Sequence, residues 1–240
     1  MAEGVHGLRR SDPSTGLTGE NAEFNGSCLS ADRSDDKLSA VLYSERHNLA
    51  FVHIHKTGGI SLREFLRKRI RGMKEMSELP DAHYSVSQLY EALQNRGSDP
   101  ADVRIITILR NPYAHALSIY TFWNSDAITL PERQLPTVSY ARSHSFRDFL
   151  FNVLINDQYA PALLVNNELP FKLFVVKLET LAEDAQRVLH DELGLVRKVK
   201  VGRRNASDHG PYLEYYEPDM LAHVRRVYSW CFDAGYYTDE

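Results

Sequence analysis

The chain has 240 residues, 43% of them hydrophobic and 25% charged, which suits one globular domain able to bury a substantial core without disulfide or metal staples. A net charge of only −4 excludes the global basic field of a nucleic-acid-binding protein, so any anionic ligand must be met by a local cluster. No run of about 18 apolar residues occurs, and nothing in the sequence reads as a membrane span.

Residues 1–40 are rich in Gly, Ser, Asp and Asn and lack apolar periodicity. They read as a flexible leader, with 41–240 as a single domain. The opening MAEGVHGLRRSDPSTG lacks the apolar centre of a secretion signal. Cys28 in the leader and Cys231 on a helix face read as free thiols in a reducing compartment. Together these point to a cytoplasmic protein.

Ordered structure is expected from about Leu49. Leu49–Ile54 reads as a short buried strand, and His55-Lys56-Thr57-Gly58-Gly59 as a tight turn. From Ser61, the spacing of Leu62, Phe65, Leu66 and Ile70 predicts a helix to about Arg71, with Gly72 as its stop. Ser85 and Gln88 form a capping box for a second helix carrying Leu89 and Leu93. Val103–Leu109 is the clearest strand, nearly all β-branched or apolar. Arg110 ends it, and Asn111-Pro112 supplies an N-cap and a first-position proline for a helix to about Trp123.

Residues 124–144 read as an irregular excursion, followed by a helix over about Phe146–Asn156. Phe171–Val176 is a third strand. Thr180 and Glu183 read as another capping box, opening a helix through Leu181, Ala185, Val188 and Leu189 that ends at Gly194. Residues 197–212 form a basic loop. Glu217-Pro218 opens a last helix with Leu221, Val224, Tyr228 and Cys231 on one face. Alternating strands and helices predict an α/β fold with a mainly parallel central sheet flanked by helices. In such sheets ligands gather at the carboxyl ends of strands, where both the 55–61 turn and the 110–118 segment lie.

The first of these segments is a strand, a glycine turn and a helix start. Glycines permit close backbone approach and positive φ, and the free N–H groups of a helix start attract an anion. Lys56 adds a positive charge, and Thr57 and Ser61 add hydroxyls. The chemistry is that of a phosphate-like group. It is not the Walker A pattern, which places a glycine directly before the lysine; here His55 precedes Lys56 and the glycines follow it. An ATP or GTP site is therefore disfavoured.

Phe51-Val52-His53-Ile54-His55-Lys56-Thr57-Gly58-Gly59-Ile60-Ser61 resembles the 5′-phosphosulfate loop of sulfotransferases that use 3′-phosphoadenosine 5′-phosphosulfate (PAPS), in the branch containing the Golgi glycan O-sulfotransferases. Lys56-Thr57-Gly58-Gly59 matches that loop. His55 stands where the family has proline, and Ile60 where it has threonine. Arg110-Asn111-Pro112 with Ser118, eight residues after the arginine, resembles the family's 3′-phosphate motif. His115 replaces an arginine common in that stretch. Glu179-Thr180-Leu181-Ala182-Glu183-Asp184 is similar to its E-x-L-x-x-D segment. Asn205-Ala206-Ser207 followed by Tyr215-Tyr216-Glu217-Pro218 is similar to its C-terminal region. The resemblance covers about residues 49–237, in order.

The resemblance implies a P-loop-like three-layer fold and sulfuryl transfer from PAPS to a small-molecule or glycan acceptor, through a hydroxyl or an amine. It implies that Lys56, Thr57, Gly58, Gly59, Ile60 and Ser61 hold the 5′ end of the donor, and that Arg110 and Ser118 hold the 3′-phosphate. Arg203 and Arg204 would close over the nucleotide. Lys56 would neutralise charge on the leaving phosphate, and His83, two residues before the cap Ser85, would take the acceptor's proton, with His55 in reserve. His53 and His55 alone do not make a zinc site, and no metal is expected. The basic run Arg63, Arg67, Lys68, Arg69, Arg71 and Lys74 reads as a solvated helix face. Two other readings stand beside this one: a nucleotide or small-molecule kinase with an atypical phosphate loop, and an inactive relative that binds PAP, the desulfated nucleotide. Neither nucleic acid nor membrane is expected as a partner.

Overall fold

The computed structural model describes residues 41–79, 84–201 and 211–238. Its sheet begins eight residues earlier than the sequence reading places it, at Val41 rather than Leu49. The strands are β1 (Val41–Ser44), β2 (Leu49–Val52), β3 (Lys74–Glu75), β4 (Arg104–Leu109) and β5 (Leu173–Lys177), in the spatial order β3-β1-β2-β4-β5. The pairs β2–β4 and β4–β5 are parallel, whereas β1–β2 and β1–β3 are antiparallel. The sheet is thus open and mixed, which corrects the expectation of a mainly parallel one. The reason lies in the connection: β1 and β2 are joined by a single 3₁₀ turn, Glu45–His47, far too short for the crossover a parallel pair needs. Asn48 closes it at φ 41°, a conformation asparagine tolerates, and its side chain accepts a hydrogen bond from the Tyr43 hydroxyl.

Ten helices are described: α1 (Gly59–Arg69), α2 (Val86–Asn95), α3 (Pro112–Asn124), α4 (Leu130–Arg133), α5 (Pro136–Ser143), α6 (Phe146–Asn152), α7 (Ala160–Leu163), α8 (Leu181–Gln186), α9 (Pro218–Val227) and α10 (Ser229–Asp233). Strand residues alternate between two cores. Leu49, Phe51, Ile106 and Ile108 pack with Leu62 and Leu66 of α1 and Leu181 and Ala185 of α8. Ala50, Val52, Ile105 and Leu109 pack with residues of α2, α3, α5, α6 and α9. Apolar side chains therefore leave the sheet in both directions, which is why β4 reads as an unbroken apolar run instead of an alternating one.

Local chemistry explains most helix starts. The Asn111 side chain accepts from the Tyr113 and Ala114 amides, and Pro112 opens α3. Ser85 and Gln88 form the expected capping box on α2. The box expected at Thr180 and Glu183 does not form. Thr180 instead donates to Asp184 Oδ2 at 2.9 Å, and the same oxygen accepts from the Lys177 amide, so Asp184 closes the β5–α8 turn. Helix α8 continues as a π-helical stretch, Arg187–Glu192, before Gly194 ends it at φ 63°. The excursion over 124–144 is not irregular: prolines at 131 and 136 start α4 and α5. The third strand starts at Leu173 instead of Phe171, which is 94% exposed. Helix α6 stops at Asn152, four residues short of the expected end.

This arrangement sets two chain segments side by side. Strands β2 and β4 are parallel neighbours, so residues 53–58 and 110–118 leave the sheet at the same edge. Thr107 Oγ1 donates to the Val52 carbonyl at 3.0 Å and pins the two strand ends together.

Candidate functional site

The turn after β2 has three successive carbonyls tied down from within. The Ile54 carbonyl accepts from the Thr57 amide at 3.4 Å and from Thr57 Oγ1 at 2.8 Å. The His55 carbonyl accepts from His115 Nε2 at 2.8 Å. The Lys56 carbonyl accepts from Arg110 Nη1 at 3.4 Å. Lys56 itself sits at φ 60°, a left-handed conformation that a lysine adopts only when its surroundings enforce it. Gly58, at φ 77°, caps α1, whose first turn presents backbone N–H groups without intrahelical partners.

Two glycines here are required by their own neighbours. A Cβ on Gly58 would lie 2.6 Å from Leu178 Cδ1, and one on Gly59 would overlap the His53 ring. Thr57 is fully buried and spends its hydroxyl proton on the turn. Ser61 is nearly buried within α1, whereas Ile60 is exposed.

Lys56 extends over the Phe122 ring, with Nζ 4.1 Å from its centroid. Burial, helped by the nearby Arg110 charge, pulls its pKa down to about 8. Arg110 is 7% exposed, and its carbonyl accepts from the Tyr159 hydroxyl at 2.7 Å. Ser118 is buried on α3, in the helix that Arg110 precedes. The structure thus brings Lys56 and Arg110 into contact, with Ser118 on the helix that follows.

Glu179 joins the second segment to the rest: one carboxylate oxygen accepts from the Asn111 amide and the other from the Tyr237 hydroxyl, both at 2.8 Å. The two acids of the E-x-L-x-x-D segment therefore both hold backbone, Glu179 before the start of α3 and Asp184 at the end of β5. His55, the reserve base, packs its ring edge-on to Phe122 at 5.4 Å. His83, Arg203 and Arg204 lie outside the described residues, as does Cys28. Cys231 is a buried free thiol.

The basic run from Arg63 to Lys74 is not the single solvated helix face expected, because α1 ends at Arg69 and Lys74 lies in β3. Arg63 is buried and pairs with Glu75 at 2.7 Å, holding α1 against β3. Lys68 and Arg69 line a cavity of about 620 Å³ with Ser61, Arg197, Lys198, Lys200 and the acidic Glu64, which pairs with Lys68 at 3.6 Å. Phe65, Val196 and Val201 supply apolar wall. The cavity reaches Ser61 in the first turn of α1, while its lysines and arginines come from the last turn of that helix and from residues 197–200. Sequence reasoning missed Phe122 and Tyr159, and the buried contacts of His115 and Tyr228. The aromatic i+4 position after Ser118 was visible, but its alignment with Lys56 comes only from the strand pairing.

Among the described residues, no three His, Cys, Asp or Glu side chains cluster as a metal site requires, and no helix is long and apolar enough to cross a membrane. No family model, curated protein or solved structure matches the chain.

Proposed function

We propose that this chain is a sulfotransferase that moves a sulfuryl group from PAPS to a hydroxyl or amine of a small-molecule or glycan acceptor. The observation that supports the reading is the hydrogen bond from Arg110 to the Lys56 carbonyl, which sets side by side the two segments we read as anion-binding, 54 residues apart in the chain. A donor with phosphate at both ends needs such a pair. Helices against both faces of the sheet are in keeping with a P-loop-like three-layer fold.

In this account the amides at 58–61 and the Lys56 ammonium receive the 5′ phosphosulfate, the Thr57 amide being turned to the Ile54 carbonyl. Arg110 and Ser118 receive the 3′-phosphate, the guanidinium as a forked donor. Arg203 and Arg204 close on the remainder of the nucleotide. The acceptor oxygen or nitrogen forms a bond to sulfur as the bond from sulfur to the bridging phosphate oxygen breaks. The electron pair of that bond stays on the phosphate, and PAP leaves. His83 takes the acceptor's proton, and Lys56 neutralises the charge growing on the leaving phosphate. Catalysis is mostly positioning and charge stabilisation, as in phosphoryl transfer. We place the enzyme in the cytoplasm.

The test is mass spectrometry of mixed acceptors incubated with the full chain and PAPS, without magnesium. Gain of one SO₃ on an acceptor supports transfer. PAP binding with no product on any acceptor supports the inactive relative, and binding of ATP but not PAP supports the kinase.

A further inference from the structure

Within the reading of the glycine turn as the seat of the donor's 5′ end, we propose that His115 is a positioning residue, clamping the His55 carbonyl and so fixing the direction of the peptides around Lys56. His115 is 1% exposed on α3, and its two ring nitrogens face different elements. Nε2 lies 2.8 Å from the His55 carbonyl, and Nδ1 lies 2.9 Å from the Tyr228 hydroxyl. A carbonyl only accepts, so Nε2 carries the proton. Nδ1 is then the acceptor, and the Tyr228 hydroxyl donates to it. The His55 carbonyl thus sets the tautomer, and Tyr228, at the junction of α9 and α10, satisfies the other ring nitrogen.

The ring also packs 4.8 Å from Tyr159, whose hydroxyl holds the Arg110 carbonyl. Tyr159 and Tyr228 are themselves in contact, at 5.2 Å. One buried aromatic cluster therefore braces both halves of the site, the carbonyl before Lys56 and the carbonyl of Arg110. Loss of the His115 bond removes this hold on the His55 carbonyl. The peptide between His55 and Lys56 is then able to rotate, and the left-handed lysine loses one of its two clamps.

The test compares wild type with His115→Leu, His115→Gln and Tyr228→Phe, using the full chain labelled with ¹⁵N. Glutamine can return a donor to the Nε2 position, and leucine cannot. His115→Leu is expected to shift the Gly58 and Gly59 amide resonances while the β4 amides stay in place. It should also weaken PAP binding by about tenfold or more, and His115→Gln should recover most of both effects. Tyr228→Phe should give the same shifts in smaller measure. Unmoved Gly58 and Gly59 resonances in a folded His115→Leu protein would overturn the proposal. If that variant does not fold, unmoved resonances in Tyr228→Phe overturn it in the same way. Failure of wild type to bind PAP removes the sulfotransferase reading, and the resonance comparison then decides the clamp on its own.

Discussion

The Arg110 guanidinium donates to the backbone carbonyl of Lys56 across 3.4 Å, so the residue that follows β4 reaches the residue that turns the chain after β2. The guanidinium is nearly buried there, at the edge of the sheet where the two segments meet. Replacing Arg110 by alanine should weaken PAP binding by about 10- to 100-fold, the worth of charge-assisted hydrogen bonds to phosphate. Arg110→Lys keeps the charge but loses the fork, and should recover only part of that affinity. Calorimetric titration of PAP into the three proteins measures both.

Lys56 is expected to lose its charge within the working pH range, because burial and the Arg110 charge bring its pKa down to about 8. The ammonium is the form that meets an anion, so PAP affinity should be full below about pH 7 and should fall as pH rises through 8. A bound anion opposes that loss, so the midpoint in the complex should sit above the free value. Lys56→Met should bind weakly at every pH, with the alkaline step gone. Titrations at several pH values check the pattern.

Gly58 is fixed by both its backbone and its neighbour. At φ 77°, with a Cβ reaching to 2.6 Å from Leu178, it has no room for a side chain. Gly58→Ala should destabilise the fold by about 1–3 kcal/mol, as substitutions at such positions do. Urea unfolding reads the change as a lower midpoint at unchanged slope. The Leu178→Ala background removes the clash and should return part of the loss.

Acid should weaken the fold through His115. Burial keeps this imidazole neutral, pulling its pKa from 6.5 to about 3; its bond to the His55 carbonyl acts the other way, and Arg110 and Lys56 add to the depression. Below pH 6.5 the unfolded chain takes up a proton that the folded chain refuses. Stability from this group is therefore complete above 6.5 and is lost as pH falls towards 3, by at most about 1.4 kcal/mol per pH unit. The stability gap between wild type and His115→Gln should narrow as pH falls from neutrality. A gap of constant size in urea unfolding would contradict it.

Local signals made much of the fold legible. The apolar run of β4, the Asn111-Pro112 cap and the Ser85–Gln88 box each act through near neighbours, and each element formed where its residues predict. Strand β1 was missed although Val41-Leu42-Tyr43 is apolar, because its partners are β2 and the two-residue β3, which has no pattern of its own. That omission also hid the mixed character of the sheet. At Thr180, a box pattern gave way to Asp184, whose pull on the Lys177 amide depends on where β5 ends. Of the site, the glycine turn and the arginine–serine spacing were legible as motifs. Their meeting was an inference from strand order, and the strands do bring Lys56 and Arg110 together. The clamps from His115, Tyr159 and Phe122 link residues far apart in the chain, and no spacing rule reveals such contacts. Positions 83, 203 and 204 lie outside the described residues.

The most direct measurement is a calorimetric comparison of PAP with adenosine 5′-monophosphate, which lacks the 3′-phosphate, on wild type and Arg110→Ala. The account predicts that PAP binds wild type at least about tenfold more tightly than the monophosphate, and that Arg110→Ala erases the difference. Equal affinity for the two nucleotides, or a preference for PAP that survives the loss of Arg110, would contradict the account of one cleft gripping both ends of the donor.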